Sequence, residues 1–349
     1  MKSKFNSKSI LVPLISIVLG LLIGAIIMWL SGYDAIKGYV ALWNGIFGDA
    51  YAMGETVRQI APYILAGLAV AFAFRTGLFN IGVEGQLLVG WFAAAYVGTT
   101  FELPTIIHLP LALLAAAAAG ALWAFLPGLL KATLQVHEVI VTIMMNYIAL
   151  HVVNALIKAS SGTYKTETIH DSASLRSPFL EQLTDYSTLH YGFIVAILMV
   201  IFMWFLLERT KTGFELKAVG FNDHASQYAG MNVKKNIIVS MMISGGFAGL
   251  AGAMEGLGTF GYITESTDFT GIGFDGIAVA LLGANTPIGV LFGAILFGSL
   301  KYGSLNMPNA AGVPIEIVSI VIALIIFFVA SGYIIRVFLE KMSKKKEAK

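Results

Sequence analysis

Long apolar runs alternate with short polar stretches along the whole chain. A helix needs roughly 20 residues to cross the hydrocarbon core of a membrane. Ten segments are apolar enough to be candidate spans, namely residues 10–30, 59–75, 81–99, 109–130, 139–158, 191–207, 236–257, 272–284, 286–303 and 314–335. The pair 272–303 can form either a full hairpin or a re-entrant pair. The pattern therefore predicts an all-α polytopic membrane protein of about ten transmembrane or re-entrant helices.

The composition agrees with an integral membrane protein. Hydrophobic residues make up 57% of the chain and charged residues 12%, about half the charged fraction of a typical soluble domain. The chain has no cysteine, which excludes disulfides and cysteine-ligated zinc. We expect a single membrane domain over residues 1–349, with a first span at 10–30, a first half at 59–158, a cytoplasmic loop at 208–235 and a second half at 236–335.

The distribution of Lys and Arg predicts the orientation. Cytoplasmic loops carry an excess of these residues, and placing the N-terminus inside puts 16 of the 22 on the inner side. The basic N-terminus is followed by 21 uncharged residues, 10–30, a longer run than the roughly 7–15 residues of a cleaved signal. We expect an uncleaved first span and both termini in the cytoplasm.

Two pairs of similar segments indicate an internal repeat. LAGLAVA at 65–71 is similar to FAGLAGA at 247–253, and FNIGVEGQLLVG at 79–90 is similar to FDGIAVALLGA at 274–284. The first copies begin in a span that runs inward and the second copies in a span that runs outward. This order predicts an inverted repeat, in which interrupted helices at matching places point to the substrate path.

Polar residues inside these interrupted segments are the candidate substrate pathway. They are Asn80, Glu84 and Gln86 in the first half and Asp275 and Asn285 in the second. Ionisable residues at membrane depth are costly and usually functional, so we expect the set to line or brace the path. A structural reading stays open, in which Asn80 or Asp275 caps a helix and Glu84 is a first-turn acid that suits the helix dipole.

The segment SGGFAGLAGAMEG predicts a helix-packing surface. Gly245 and Gly249, like Gly252 and Gly256, are four residues apart, and small residues at this interval let helices approach closely. We expect a surface along which packed elements can slide.

The internal loop 208–235 contains a short segment with the marks of a capped helix. Asn222 or Asp223 is the expected N-cap and Gly230 the expected end. Because the chain lacks the G-x-x-x-x-G-K-[ST] motif that cradles ATP, this segment is a candidate docking site for a separate ATPase, although a plain solvated connector is the alternative. The candidate coupling residues are Asn222, Asp223, His224, Gln227, Tyr228 and Gly230.

No motif indicates an enzyme. Two G-x-G-x-x-G matches, at 256–261 and 271–276, do not follow a strand as a dinucleotide site requires. The six histidines are scattered and indicate no metal site.

Four segments together resemble the permease subunits of bacterial ABC importers in the branched-chain amino acid/ribose permease superfamily. They are FRTGLFNIGVEGQLLVG, GFELKAVGFNDHASQYAGMNV, SGGFAGLAGA and GFDGIAVALLGANTPIG. The similarity covers about residues 10–335 and is greatest to the nucleoside (guanosine-type) branch. Departures at Lys217 and at Ala225-Ser226 are mild.

The resemblance implies a multi-pass permease of the bacterial plasma membrane with several partners. These are a second related permease (so a heterodimer), an ABC ATPase that carries ATP and Mg²⁺, and an extracellular nucleoside-binding lipoprotein that docks on the external loops 31–58 and 159–190. The chain itself is expected to hold no cofactor and to bind no nucleic acid. The segment around 222–230 corresponds to the coupling helix, and we expect the two permeases to move about glycine-lined contacts.

Three other functions stay open at this point. A simple-sugar ABC permease would have the same architecture. An ion-coupled secondary transporter would use Glu84 and Asp275 as proton sites and need no ATPase. A membrane scaffold would carry no cargo.

Overall fold

The computed structural model describes residues 7–331, which are helical with short connections. In that range there is no strand, and pairing is limited to the isolated bridges Lys165–Thr264 and Arg176–His190. The helices are α1 Ser7–Leu30, α2 Ala35–Phe47, α3 Ala50–Arg75, α4 Val83–Thr100, α5 Thr105–Leu134, α6 Glu138–Ser161, α7 Pro178–Leu183, α8 Gly192–Arg209, α9 Lys211–Phe221, α10 Asp223–Tyr228, α11 Val233–Met254, α12 Ile272–Leu282, α13 Pro287–Gly303, α14 Met307–Ala311 and α15 Ile315–Ala330. A π-helical segment, Glu255–Phe260, continues α11, and 3₁₀ turns occur at Asp171–Ala173 and Ser304–Asn306.

Among the described residues, six helical stretches are long and apolar enough to cross a membrane. They are Ala50–Arg75, Thr105–Leu134, Glu138–Ser161, Gly192–Arg209, Val233–Phe260 and Pro287–Ala311. Shorter apolar helices cover Ile17–Leu30, Ile272–Leu282 and Ile315–Phe328. The prediction of an all-helical membrane protein is confirmed. The terminal residues 1–6 and 332–349, on which part of the orientation argument and the end of the last predicted span depend, lie outside the described range.

The start of α3 corrects one predicted boundary. The helix begins at Ala50, nine residues before the predicted start at 59, so Glu55 and Arg58 belong to its first turns and not to an external loop. Arg58 Nε lies 2.7 Å from Glu55 Oε2. The two charges interrupt the apolar run in the sequence, but in the structure they neutralise each other.

Contacts within the chain divide it into two compact units, with the divisions falling inside α3 and α13. In the unit formed by residues 7–52 and 299–331, α1 packs against α15, where a Cβ on Gly20 would lie 2.6 Å from Ile325 Cα. The Tyr39 hydroxyl of α2 donates to the Leu21 carbonyl at 2.5 Å. These contacts join α1 to α15 and to α2 within this unit.

The unit formed by residues 53–298 has α11 at its centre, packed against α4 and α5. Most of α11 is buried, as expected of a helix that is apolar on all sides. Glycines allow this close packing, because a Cβ on Gly249 or on Gly120 would overlap backbone atoms of the neighbouring helix. This unit holds all of the predicted pathway residues.

Candidate functional site

The chain turns back on itself between α3 and α4. Asn80 Nδ2 in this connection donates to Ser244 Oγ at 2.8 Å, and the Ser244 hydroxyl donates to the Ala69 carbonyl at 2.6 Å. Ala69 precedes the last residue of α3, Arg75, by six positions, or about 9 Å along the helix. The connection 76–82 therefore returns along α3, and α4 begins beside the last third of a membrane-spanning helix and not beyond its end.

Two amide side chains hold this connection in place. Asn80 Nδ2 donates to Gln86 Oε1 at 2.8 Å, and Gln86 Nε2 donates to Asn80 Oδ1 at 3.1 Å. Asn80 Oδ1 also accepts the backbone N–H of Gly82 at 3.0 Å. Both amides are at most 1% exposed. The N-cap of α4 is Gly82 and not Asn80, so the prediction of an Asn80 cap is wrong because the helix begins three residues later.

A third amide, which the sequence analysis did not select, completes this arrangement. Asn146 of α6 accepts the backbone N–H of Gly85 at 2.8 Å and donates to the Ile81 carbonyl at 3.0 Å. Asn146 satisfies backbone groups that lack partners where one helix ends and another begins. No local signal around position 146 identifies it, because its partners lie more than sixty residues away.

Glu84 joins the start of α4 to the start of α12. Its Oε1 accepts the Thr270 hydroxyl at 2.6 Å and the Gly271 N–H at 2.9 Å, and its Oε2 accepts the Gly273 N–H at 2.6 Å. The side chain is fully buried. A carboxylate is stabilised here by the positive end of the α12 dipole and by donors that the first turn of a helix leaves unpaired.

Asp275 and Asn285 lie at opposite ends of α12. Asp275 is half-buried in the first turn, where its Oδ2 accepts the Tyr63 hydroxyl at 3.2 Å. The N-cap is Gly271, so the prediction that Asp275 caps this helix is wrong, since Asp275 lies four residues inside. Asn285 lies beyond the other end, in the left-handed region at φ 54°. The 11 residues of α12 separate Asn285 from the Glu84 contacts at the helix start by roughly 16 Å, so Asn285 is not part of the Glu84 site.

The four predicted packing glycines face helices of the same chain. A Cβ on Gly245 or Gly249 would overlap backbone of α5, and a Cβ on Gly256 would lie 2.6 Å from Trp91 Cδ1 of α4, next to the contact of Gly252. The glycine face is thus filled by α4 and α5. The expectation that two permeases move against each other along these glycines is wrong, because this face is closed within the chain.

The predicted coupling segment forms a short exposed helix. Asn222 is the N-cap of α10, and its Oδ1 accepts the Ala225 N–H at 2.8 Å. Gly230 has φ 82°, which suits the end of a helix. Asp223, His224 and Gln227 are exposed, and Tyr228 is 96% exposed. Docking to an ATPase stays a prediction for this surface.

A partly buried polar and charged cluster near the start of α3 was not predicted. It contains Glu55, Arg58, Arg176, His190, Glu255 and Thr259, which come from four separate parts of the chain. Arg176 Nε donates to the Gly258 carbonyl at 2.7 Å, and a second nitrogen of Arg176 donates to the Thr259 carbonyl. Arg176 thus bonds two carbonyls of the π-helical segment. Such π-helical segments are frequent at functional sites. No spacing in the sequence indicates this cluster.

His190 lies in this cluster as a neutral ring. Its Nδ1 accepts the Gly192 N–H at 3.1 Å. Burial is the main cause that lowers the pKa of His190 to about 3, Arg58 and Arg176 lower it further, and Glu55 opposes them. The ring is therefore uncharged at neutral pH.

Comparison with known proteins places the chain in a family of permeases. Residues 52–330 match the family described as branched-chain amino acid transport system/permease component. The chain is 67% identical to the guanosine ABC transporter permease protein NupP of Bacillus subtilis, with 96% of this chain and 97% of the relative covered. It is 42% identical to the nucleoside ABC transporter permease protein NupB of Lactococcus lactis, with 96% and 94% covered. It is 31% identical to the glucose ABC transporter permease protein TsgB13 of Haloferax volcanii, with 92% and 87% covered.

No solved structure matches the chain. The family match covers most of the chain and contains, apart from the first two residues of α3, all six described helical stretches that are long and apolar enough to span a bilayer. The chain belongs to the branched-chain amino acid transport system permease family and is a multi-pass integral membrane protein of the bacterial plasma membrane.

Proposed function

We propose that this chain is the permease subunit of an ATP-driven ABC importer that moves nucleosides into the cell. One observation carries the proposal, namely the 67% identity to a guanosine permease over nearly the full length of both chains. The chain is a transport subunit and not an enzyme, since ATP hydrolysis belongs to a separate ATPase subunit, which also binds the Mg²⁺.

The Glu84 site supports a neutral substrate. Helix N-termini at membrane depth attract anionic groups, but at α12 the carboxylate of Glu84 already occupies that position. The donors at the start of α12 are therefore not free to bind an anionic group of a substrate. A nucleoside is uncharged and presents hydroxyl and amide groups, so it agrees with the site better than an anion does.

The position of Glu84 also supports the inverted repeat. The interrupted segments of the two proposed halves, 59–158 and 236–335, begin α4 and α12, and the first turns of these helices meet through Glu84. The proposed architecture has about ten crossings with both termini in the cytoplasm, and Asn80, Glu84, Gln86, Asp275 and Asn285 line or brace the path.

The proposed complex contains a second related permease, an ABC ATPase and an extracellular nucleoside-binding lipoprotein. The exposed α10, with Tyr228 projecting from it, is the proposed contact for the ATPase. The external loops around α2 and α7 are the proposed contact for the lipoprotein. In this arrangement ATP binding moves α10. The motion reaches the membrane helices through α9 and α11, which both contact α10.

The test is transport in proteoliposomes that contain the chain, its partner permease, the ATPase and the binding protein. We expect labelled guanosine to accumulate with ATP and not with a proton gradient alone, and unlabelled inosine to compete where ribose does not. Competition by ribose alone would make the chain a sugar permease, and uptake driven by the proton gradient alone would make it a secondary transporter.

A further inference from the structure

One face of α3, a helix long and apolar enough to span a membrane, carries four polar side chains over residues 55–63. Glu55, Arg58, Gln59 and Tyr63 lie within about 140° of each other around the helix and cover roughly 12 Å of its length. Polar groups at such depth are costly and usually mark a transport path. This face is separate from the Asn80–Gln86 amide pair.

Both ends of this face are held by side chains from other elements. Arg58 Nη1 donates to Thr259 Oγ1 of the π-helical segment at 3.3 Å. At the other end the Tyr63 hydroxyl donates to Asp275 Oδ2 of α12. Gln59 lies between Arg58 and Tyr63 on the same face of α3, one helical turn before Tyr63. The side chains are therefore fixed in position before a substrate arrives.

Accessibility separates this face from the Glu84 site. Asn80, Glu84 and Gln86 are at most 1% exposed and already bonded to the protein, so a substrate cannot reach them without rearrangement. Gln59, Thr259 and Asp275 are only half-buried. Two rings next to them in sequence are exposed, Phe260 at 46% and Phe274 at 38%, and Phe260 stacks on Trp91 at 5.4 Å between ring centroids.

We infer that Gln59, flanked by the Arg58–Thr259 and Tyr63–Asp275 pairs, is a substrate contact that recognises the ribose hydroxyls of a passing nucleoside. The amide both donates and accepts, as a sugar hydroxyl requires. Exposed aromatic rings beside these pairs suit a base, whose face stacks on aromatic side chains. The inference rests on the proposed function and names a substrate-contact residue for it.

The experiment compares inosine with 2′,3′-dideoxyinosine in the complete proteoliposome complex, with the binding protein saturated by either compound. Wild type should import inosine faster. In Gln59→Leu we expect inosine uptake to fall about tenfold and the ratio of the two rates to approach one, because the variant has lost the group that distinguishes the hydroxyls. Gln59→Met, which has a similar length and no amide, replaces it if the leucine variant does not assemble.

Val57→Leu is the control. Val57 is about 200° around α3 from Gln59 and 38% exposed, so this change should leave both rates and their ratio at wild-type values. An unchanged ratio in the Gln59 variants, at any absolute rate, overturns the inference, and so does a wild type that imports both compounds equally. A wild type that imports no nucleoside with ATP refutes the proposed function instead.

Discussion

The carboxylate of Glu84 accepts the backbone N–H of Gly273 at 2.6 Å, across 189 positions of the chain. A Cβ on Gly273 would lie 2.5 Å from the Glu84 nitrogen, so only glycine lets the two helix starts come this close. Glu84, in the first turn of α4, thus accepts hydrogen bonds from backbone N–H groups at the start of α12. The relationship fixes where two interrupted helices meet inside a membrane-spanning unit.

Replacing Glu84 by Ala should lower the free energy of unfolding by at least about 3 kcal/mol. The change removes three hydrogen bonds and leaves one buried and one partly buried N–H group without this partner, each at a cost of roughly 1–3 kcal/mol. Thermal unfolding in detergent measures the effect. Glu102→Ala is the control, since Glu102 is exposed and should change stability by less than about 0.5 kcal/mol. Equal melting of the two variants would contradict this role for Glu84.

Gly249→Ala should be markedly more destabilising than Gly246→Ala. A Cβ on Gly249 would overlap the Ala116 carbonyl oxygen, so α11 and α5 must separate, whereas a Cβ on Gly246 meets its nearest atom at 3.6 Å. Overpacking of this kind costs about 1–3 kcal/mol, while alanine at the open position is neutral or mildly favourable to the helix. Paired melting curves in the same detergent test the difference. The packing argument fails if both alanines melt together.

Tyr228→Asp should prevent association with the ATPase subunit without altering the stability of the chain. The side chain is 96% exposed and only its surface chemistry changes, so a fall of at least about tenfold in ATPase affinity, near 1.4 kcal/mol, is the expected result. Co-purification and ATP-dependent uptake measure it. Tyr186→Asp, with 78% exposure outside the coupling segment, is the control for co-purification with the ATPase; it is not a control for uptake, because it lies in the proposed lipoprotein contact. Normal assembly of the Tyr228 variant would remove α10 from the proposed contact.

The chain should lose stability in mild acid through His190. Its pKa is lowered to about 3 by burial and by the nearby arginines, against about 6.5 when unfolded. Between these two pH values the His190 ring is protonated in the unfolded chain and neutral in the folded chain. The contribution of His190 to the free energy of unfolding is therefore complete above about pH 6.5 and is lost as the pH falls toward 3. The free energy of unfolding falls by at most about 1.4 kcal/mol per pH unit. The accumulated loss at pH 5 is about 2 kcal/mol.

The matched variant for this effect is His190→Asn. Asparagine can accept the Gly192 N–H, as His190 Nδ1 does, but it does not titrate. Melting temperatures measured from pH 7.5 to 5 should fall more steeply for wild type than for the variant. Parallel curves would show that another group is responsible for the acid sensitivity.

The sequence by itself determined the features that depend on neighbouring residues. The apolar runs predict membrane helices because a span needs only length and low polarity, and every predicted span contains a helix. The Asn222 cap and the Gly230 end of α10 are also local, since a cap bonds a backbone group within three positions. The resemblance to nucleoside permeases was readable for the same reason, because it lies in short continuous motifs.

Only the tertiary structure decided which polar groups meet. Glu84 bonds the start of α12, Asn146 supports a connection sixty positions away, and Arg58 bonds Thr259 of the π-helical segment. The burial of His190 depends on packing against residues from other elements. One of these residues is Gly258, against which the His190 ring packs. Periodicity cannot show such pairs, because the energy of a buried polar group depends on its partner in space, and that partner is chosen when the helices pack.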